Sequence, residues 1–222
     1  MPRLGVPADV AAIRSAIVSA LNTQDDLGRK VGDARFGVYA FFDYDGEPIY
    51  VGQTKEKLRV RIRRHLTNQR TDAVAMNVLD PFEVADIEMW PLWELSGRPV
   101  AEATQELNAA EYAVFQQVLA KSSFGAVLNE KNIAETTAGV LPASIKVRII
   151  PPHLFDARKH PDVRIARRAN TIASLAKVIS ERDVSPGLRR TLVTQARRLE
   201  HLSALRFKDF ESDPIQAEDG LE

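Results

Sequence analysis

The 222-residue chain has no cysteine, which excludes disulfides and thiolate-held zinc. Its four histidines are scattered without metal-ligand spacing, so any metal would be held mainly by carboxylates. Aromatic residues make up only 7% of the chain. No stretch approaches the about 18 consecutive apolar residues that cross a bilayer, and no membrane association is expected. The start, Met1-Pro2-Arg3-Leu4, lacks an apolar core followed by a small-residue cleavage site, so the expectation is a cytoplasmic protein. Net charge is missing as well, because 30 basic residues cancel 30 acidic ones.

That zero conceals blocks of opposite sign. Residues 55–70 carry seven bases (Lys55, Lys57, Arg59, Arg61, Arg63, Arg64, Arg70) against Glu56 alone. Residues 151–208 hold thirteen bases against five acids, and 209–222 hold six acids and no base. Such a distribution suits a chain that grips a polyanion while staying soluble, although solvated helix faces look the same in sequence.

Val10, Ile13, Ile17 and Leu21 recur at helical spacing, so residues 8–22 read as an amphipathic helix. Phe36–Phe42 and Pro48–Val51 read as strands joined through Asp45-Gly46, a hairpin-turn signal. Leu58, Ile62 and Leu66 place a helix directly after that hairpin, and looser alternation from Phe82 to Leu95 predicts a third strand. Leu107, Ala110, Val114 and Val118 mark a long helix over 101–120. Lys146–Ile150 reads as a strand or an extended exit, stopped by Pro151-Pro152. Two further helices follow, one through Ile165–Ile179 and one from Ser185 and Pro186 through Leu202. The expected class is α+β, a small antiparallel three-stranded sheet flanked by helices with a C-terminal helical extension. Its expected parts are an N-terminal helical element (1–34), a central domain (35–150), a basic helical extension (151–208) and an acidic, disordered tail (209–222).

The informative stretch is Gly37-Val38-Tyr39, ten intervening residues, Tyr50-Val51-Gly52, and then Arg61 and His65 on the next helix. Taken singly, the tyrosines read as a cross-strand pair, Arg61 and His65 as surface residues, and Asn129 as a turn cap. Taken together and in this order, with Glu111 on the long helix and Asn129 after it, they resemble the GIY-YIG nuclease superfamily over about residues 35–131. The resemblance is greatest to its compact restriction-endonuclease members.

That resemblance implies phosphodiester hydrolysis and assigns roles to residues. Tyr39 is the general base, its pKa lowered by the positive field of Arg61, while Tyr50 orients water or phosphate. Arg61, four positions before His65 on one helix face, presents its fork to phosphate oxygens. His65 donates a proton, orients Tyr39 or holds phosphate. Glu111 is the ligand of a divalent cation, Mg²⁺ first and Mn²⁺ second, with Glu106 and Glu102 as alternatives. Asn129 braces the site, and Gly52 has a backbone role. One departure is Gln53, where the family often has lysine, so a phosphate contact is either missing or supplied by Lys55 or Lys57.

DNA contact is expected from Lys55, Lys57, Arg63, Arg64 and Arg70. Arg189/Arg197 and Arg190/Arg198, read as a ridge along the last helix, would add to it. The loop Arg70–Asn77 carries donors and acceptors suited to base edges. The overall expectation is a metal-dependent endonuclease on double-stranded DNA, restriction-type and homodimeric. A structure-specific repair or mobile-element nicking nuclease, or a binding module with degraded catalysis, stands as the alternative.

Overall fold

A computed structural model describes residues 5–67, 80–129, 133–137 and 139–212. Helix α1 (Ala8–Leu21) precedes strands β1 (Gly37–Phe42) and β2 (Pro48–Thr54), followed by helix α2 (Leu58–Leu66). Strand β3 (Asp86–Pro91), helix α3 (Val100–Leu119) and strand β4 (Ile145–Arg148) come next. Helices α4 (Pro152–Lys159), α5 (Pro161–Glu181) and α6 (Pro186–Ser212) follow.

The sheet is antiparallel throughout, in the order β2-β1-β3-β4. It has four strands where three were expected. The addition, β4, pairs Ile145–Arg148 with Asp86–Met89 of β3. The third strand is also shorter than its sequence span, because the flanks fold into 3₁₀ turns at Pro81–Glu83 and Trp93–Gly97. Pro152 does not stop regular structure but opens α4, since proline fits the first helical turn, where no N–H partner is needed. The last helix runs to Ser212, four residues into the segment expected to be an acidic tail.

Strand β1 is central, and all six of its residues are buried. Tyr39 and Phe41 face α1 and α2, packing with Ile17, Leu21, Leu58, Ile62, Ile87 and Met89. Val38, Ala40 and Phe42 face α3, packing with Val51, Trp90, Leu107, Ala110 and Val114. Helices therefore cover both faces of the sheet, and the two alternating side-chain sets of β1 belong to two cores.

The β1–β2 turn is fixed locally and from afar. Gly46 takes φ 80°, and Asp43 Oδ1 accepts from the backbone N–H groups of Asp45 and Glu47. Asp43 Oδ2 accepts from Arg164 Nη2 at 3.1 Å and Arg168 Nη2 at 2.8 Å, both from α5. Glu83 accepts from Arg164 and Arg167, and Arg164 also bonds Asp45. Asp43, Arg164 and Arg168 are almost fully buried. The basic segment after Pro151 is thus partly an internal ion network on the hairpin. Burial depresses the Arg164 guanidinium, but Asp43, Asp45 and Glu83 outweigh it and raise its pKa overall.

Candidate active site

Strand register decides which side chains meet. Tyr39 stands opposite Gly52, and Tyr50 opposite Phe41. The tyrosines are therefore diagonal neighbours on one face, not a directly opposed pair, with ring centroids 6.2 Å apart. The Tyr39 ring lies over Gly52. A Cβ built there would sit 2.7 Å from the Tyr39 hydroxyl and 2.7 Å from Tyr50 Cε1, so the backbone role of Gly52 is close approach. Gly52→Ala should cost about 1–3 kcal/mol through overpacking and displace both hydroxyls. Thermal melting and DNA cleavage check this, and a variant normal in both would mean that the rings have room to yield.

Helix α2 brings the next two groups. His65 is buried, with its ring 5.2 Å from that of Tyr50. Its Nε2 lies 3.0 Å from the Tyr39 hydroxyl, which donates to it when the imidazole carries its proton on Nδ1. Arg61, half-buried one turn earlier, is close enough to act on both tyrosines. The expected lowering of the Tyr39 pKa is overturned. Tyr39 is completely buried, and the loss of solvent together with Tyr50 raises its hydroxyl well above the ordinary tyrosine value against the pull of Arg61. Tyr50 and Arg61, each partly exposed, form the solvent-facing side.

From the other face of the sheet, α3 supplies Glu111 at the β2 edge. Gln53 Nε2 donates to Glu111 Oε2 at 2.9 Å and to Asn108 Oδ1 at 2.8 Å. Gln53 Oε1 is buried and has no hydrogen-bond partner among the described residues. Burial pushes the Glu111 carboxyl up to about 7, although Gln53 and Arg61 pull it down. The alternatives lie elsewhere on the helix: Glu106 pairs with Arg98, and Glu102 is exposed. Asn129 Nδ2 donates to the carbonyl of Val51 at 2.7 Å, and its Oδ1 accepts the Val51 N–H at 3.0 Å. One side chain thus does the work of a neighbouring strand and holds β2 straight between Tyr50 and Gly52.

Residues 35–120 match the family model described as the GIY-YIG catalytic domain. The chain carries a GIY-YIG nuclease domain. No curated protein and no solved structure matches the chain. GIY-YIG nucleases generally use divalent metals. Among the described residues no group of three or more histidines and carboxylates gathers, but the chemistry of Glu111 fits a hard cation completed by water and phosphate oxygens. Magnesium is commonly held through one or two carboxylates in this way. Metal uptake at Glu111 also requires that its proton leave.

The basic residues around the GIY-YIG domain divide. Lys55 and Arg63 are exposed, while Lys57 and Arg64 pair with Asp33 and Glu56 at the surface, weak contacts that an incoming phosphate can replace. Arg70 and most of the 69–81 loop lie outside the described residues. Arg189, Arg190 and Arg197 are exposed on α6. Arg198 is not part of a DNA-facing ridge. It is 2% exposed, and its Nη2 donates to the carbonyls of Pro48 and Ala126, tying α6 to the start of β2. Eight residues carry a helix about 80° past a whole number of turns, so Arg190 and Arg198 occupy different faces. Sequence reasoning missed Arg164 and Arg168 as residues that hold the hairpin. Their only signal was the four-residue spacing on α5, which solvated pairs share. Among the described residues no helix is long and apolar enough to cross a membrane.

Proposed function

We propose that the chain is a restriction-type endonuclease that cuts double-stranded DNA as a homodimer, with a divalent cation at Glu111. The observation that carries this reading is the joining of a hydroxyl–imidazole–guanidinium cluster to a half-buried carboxylate across the β2 edge. The restriction-type reading draws on α5 and α6. They are locked onto the hairpin by buried arginines and present Arg189, Arg190 and Arg197 outward, so one short chain combines cleavage with a surface for DNA.

In the proposed mechanism Arg61 takes the non-bridging phosphate oxygens and neutralises charge that develops on phosphorus. Because burial disfavours a tyrosinate, Tyr39 moves the proton without resting as an anion. It accepts one from the attacking water as its own passes to His65 Nε2. Tyr50, on the solvent side, orients the water or the phosphate. Glu111, with its Gln53 hydrogen bond, would hold the divalent cation, which would supply charge stabilisation for the departing 3′ oxygen.

Single-turnover cleavage separates these roles. Tyr39→Phe and His65→Ala should each slow cleavage on the order of 10²-fold or more. Their double variant should be little worse than either alone, since both break one proton path. Tyr50→Phe should lose less and keep the pH dependence. A larger loss at Tyr50 reverses the tyrosine roles. The activity itself is tested by incubating the full chain with plasmid and phage DNA and Mg²⁺. Discrete fragments support the restriction-type reading, nicks or smears favour a nicking nuclease, and absence of cleavage at low salt favours a binding module.

A further inference from the structure

We propose that Gln53 is a positioning residue of the cation site, holding the Glu111 carboxylate with its amide and offering its own carboxamide oxygen as the neutral second donor. The inference rests on the reading of Glu111 as the cation ligand and goes beyond it to this residue. Gln53 lies near the end of β2, directly opposite Val38 of β1. It shares strand parity with Val51, which packs on the α3 side, so its side chain is directed to α3 rather than to the tyrosines.

Two acceptors, Glu111 Oε2 and Asn108 Oδ1, fix Nε2. With Glu111 ionised, reversing the amide would turn an oxygen on an acceptor-only carboxylate, so Glu111 sets the orientation. The consequence is that Oε1 points away from Asn108 and the carboxylate while staying beside them, and it is buried with no partner among the described residues. A buried carbonyl oxygen without a hydrogen bond carries an unrecovered desolvation penalty. Groups of this kind persist where a ligand or an ordered water satisfies them. A divalent cation on the neighbouring carboxylate, or a water in its hydration shell, supplies that partner, and neutral carbonyl oxygens suit magnesium and manganese. Lysine at this position would place a competing positive charge against Glu111 and provide no oxygen. Glutamine donates to the carboxylate while leaving its charge for the metal.

The test is the affinity of the full chain for Mn²⁺ alone, read from the electron paramagnetic resonance of free Mn²⁺, in wild type, Gln53→Ala, Gln53→Glu and Glu111→Gln. Gln53→Ala should weaken Mn²⁺ binding about 10–100-fold, the usual scale for a neighbour that orients a ligand, while circular dichroism shows the fold retained. Gln53→Glu returns an oxygen to the same place and should bind at least as tightly as wild type. Unchanged affinity in Gln53→Ala with a lowered melting temperature would overturn the proposal and leave Gln53 as a strand–helix brace. Failure of Gln53→Glu to exceed Gln53→Ala would overturn its donor role. Wild type that takes up Mn²⁺ no better than Glu111→Gln would sink the cation assignment itself, and this inference with it.

Discussion

Glu111→Gln should abolish cleavage and at the same time make the metal-free protein more stable above neutral pH. The two effects share one cause. Burial lifts the Glu111 carboxyl to about 7 from 4.5, so folding favours its protonated form. Below pH 4.5 both folded and unfolded chains hold the proton, and nothing is gained or lost. Between pH 4.5 and 7 the folded chain retains a proton that the unfolded chain has released, so stability falls as pH rises, and the full penalty is present at pH 8. Glutamine mimics the protonated acid and can still accept from Gln53. Allowing for partial solvent access, it should add on the order of 1–3 kcal/mol at pH 8 and close to nothing near pH 4.5. Cleavage should fall at least about 10³-fold, because a cation at a leaving oxygen contributes several kcal/mol to the transition state. Denaturant melts at the two pH values and a cleavage assay on one preparation test both halves. Retained cleavage would move the ligand from Glu111 to Glu106 or Glu102, and a loss of stability at pH 8 would mean that the carboxylate is better solvated than its burial implies.

The second large effect is expected at the hairpin turn. Asp43→Asn keeps shape but removes the negative charge that Arg164 and Arg168 share, and it can set an amide N–H against two guanidinium groups. Breaking a buried pair from one side typically costs about 3–5 kcal/mol, because the other charge stays buried without compensation. For a chain of this size that lowers the melting temperature by about 6–20 °C. Asp33→Asn provides the contrast. Its pairs with Lys57 and Arg59 are more open to solvent, and its loss should stay within about 1 kcal/mol. Equal effects at the two positions would show that Glu83 and Asp45 suffice to hold the arginines.

The contrast between these aspartates also explains what sequence could and could not reveal. Helical spacing in 8–22, at Leu58, Ile62 and Leu66, and in 101–120, with the Asp45-Gly46 turn, carried the core of the fold, because each signal is local and each element buries one coherent face. Strand β4 was only half legible. It has four residues, its exposure alternates without a fully buried position, and it exists through pairing with β3, more than fifty residues away. The site was legible as a set of residue types in order, but its electrostatics were not. The charge around Tyr39 suggested a lowered pKa, and only the packing of Tyr50, His65 and Gly52 over it shows that burial prevails. Arg164, Arg168 and Arg198 read as part of a basic surface because a sum of charges does not record which ones face inward.

The inward arginines bear on how such a protein can be taken apart. A break in the chain at Pro151 would look reasonable from composition alone. Yet residues 5–67 and 80–129 contribute Asp43, Asp45, Glu47 and Glu83, whose countercharges Arg164, Arg167, Arg168 and Arg198 all come from beyond that proline. Truncation there would bare a cluster of acids on the very turn that spaces the two tyrosines. This nuclease is therefore a poor source of a portable cutting module for grafting onto another DNA reader, and a fusion that preserves its chemistry would have to carry the chain through α6.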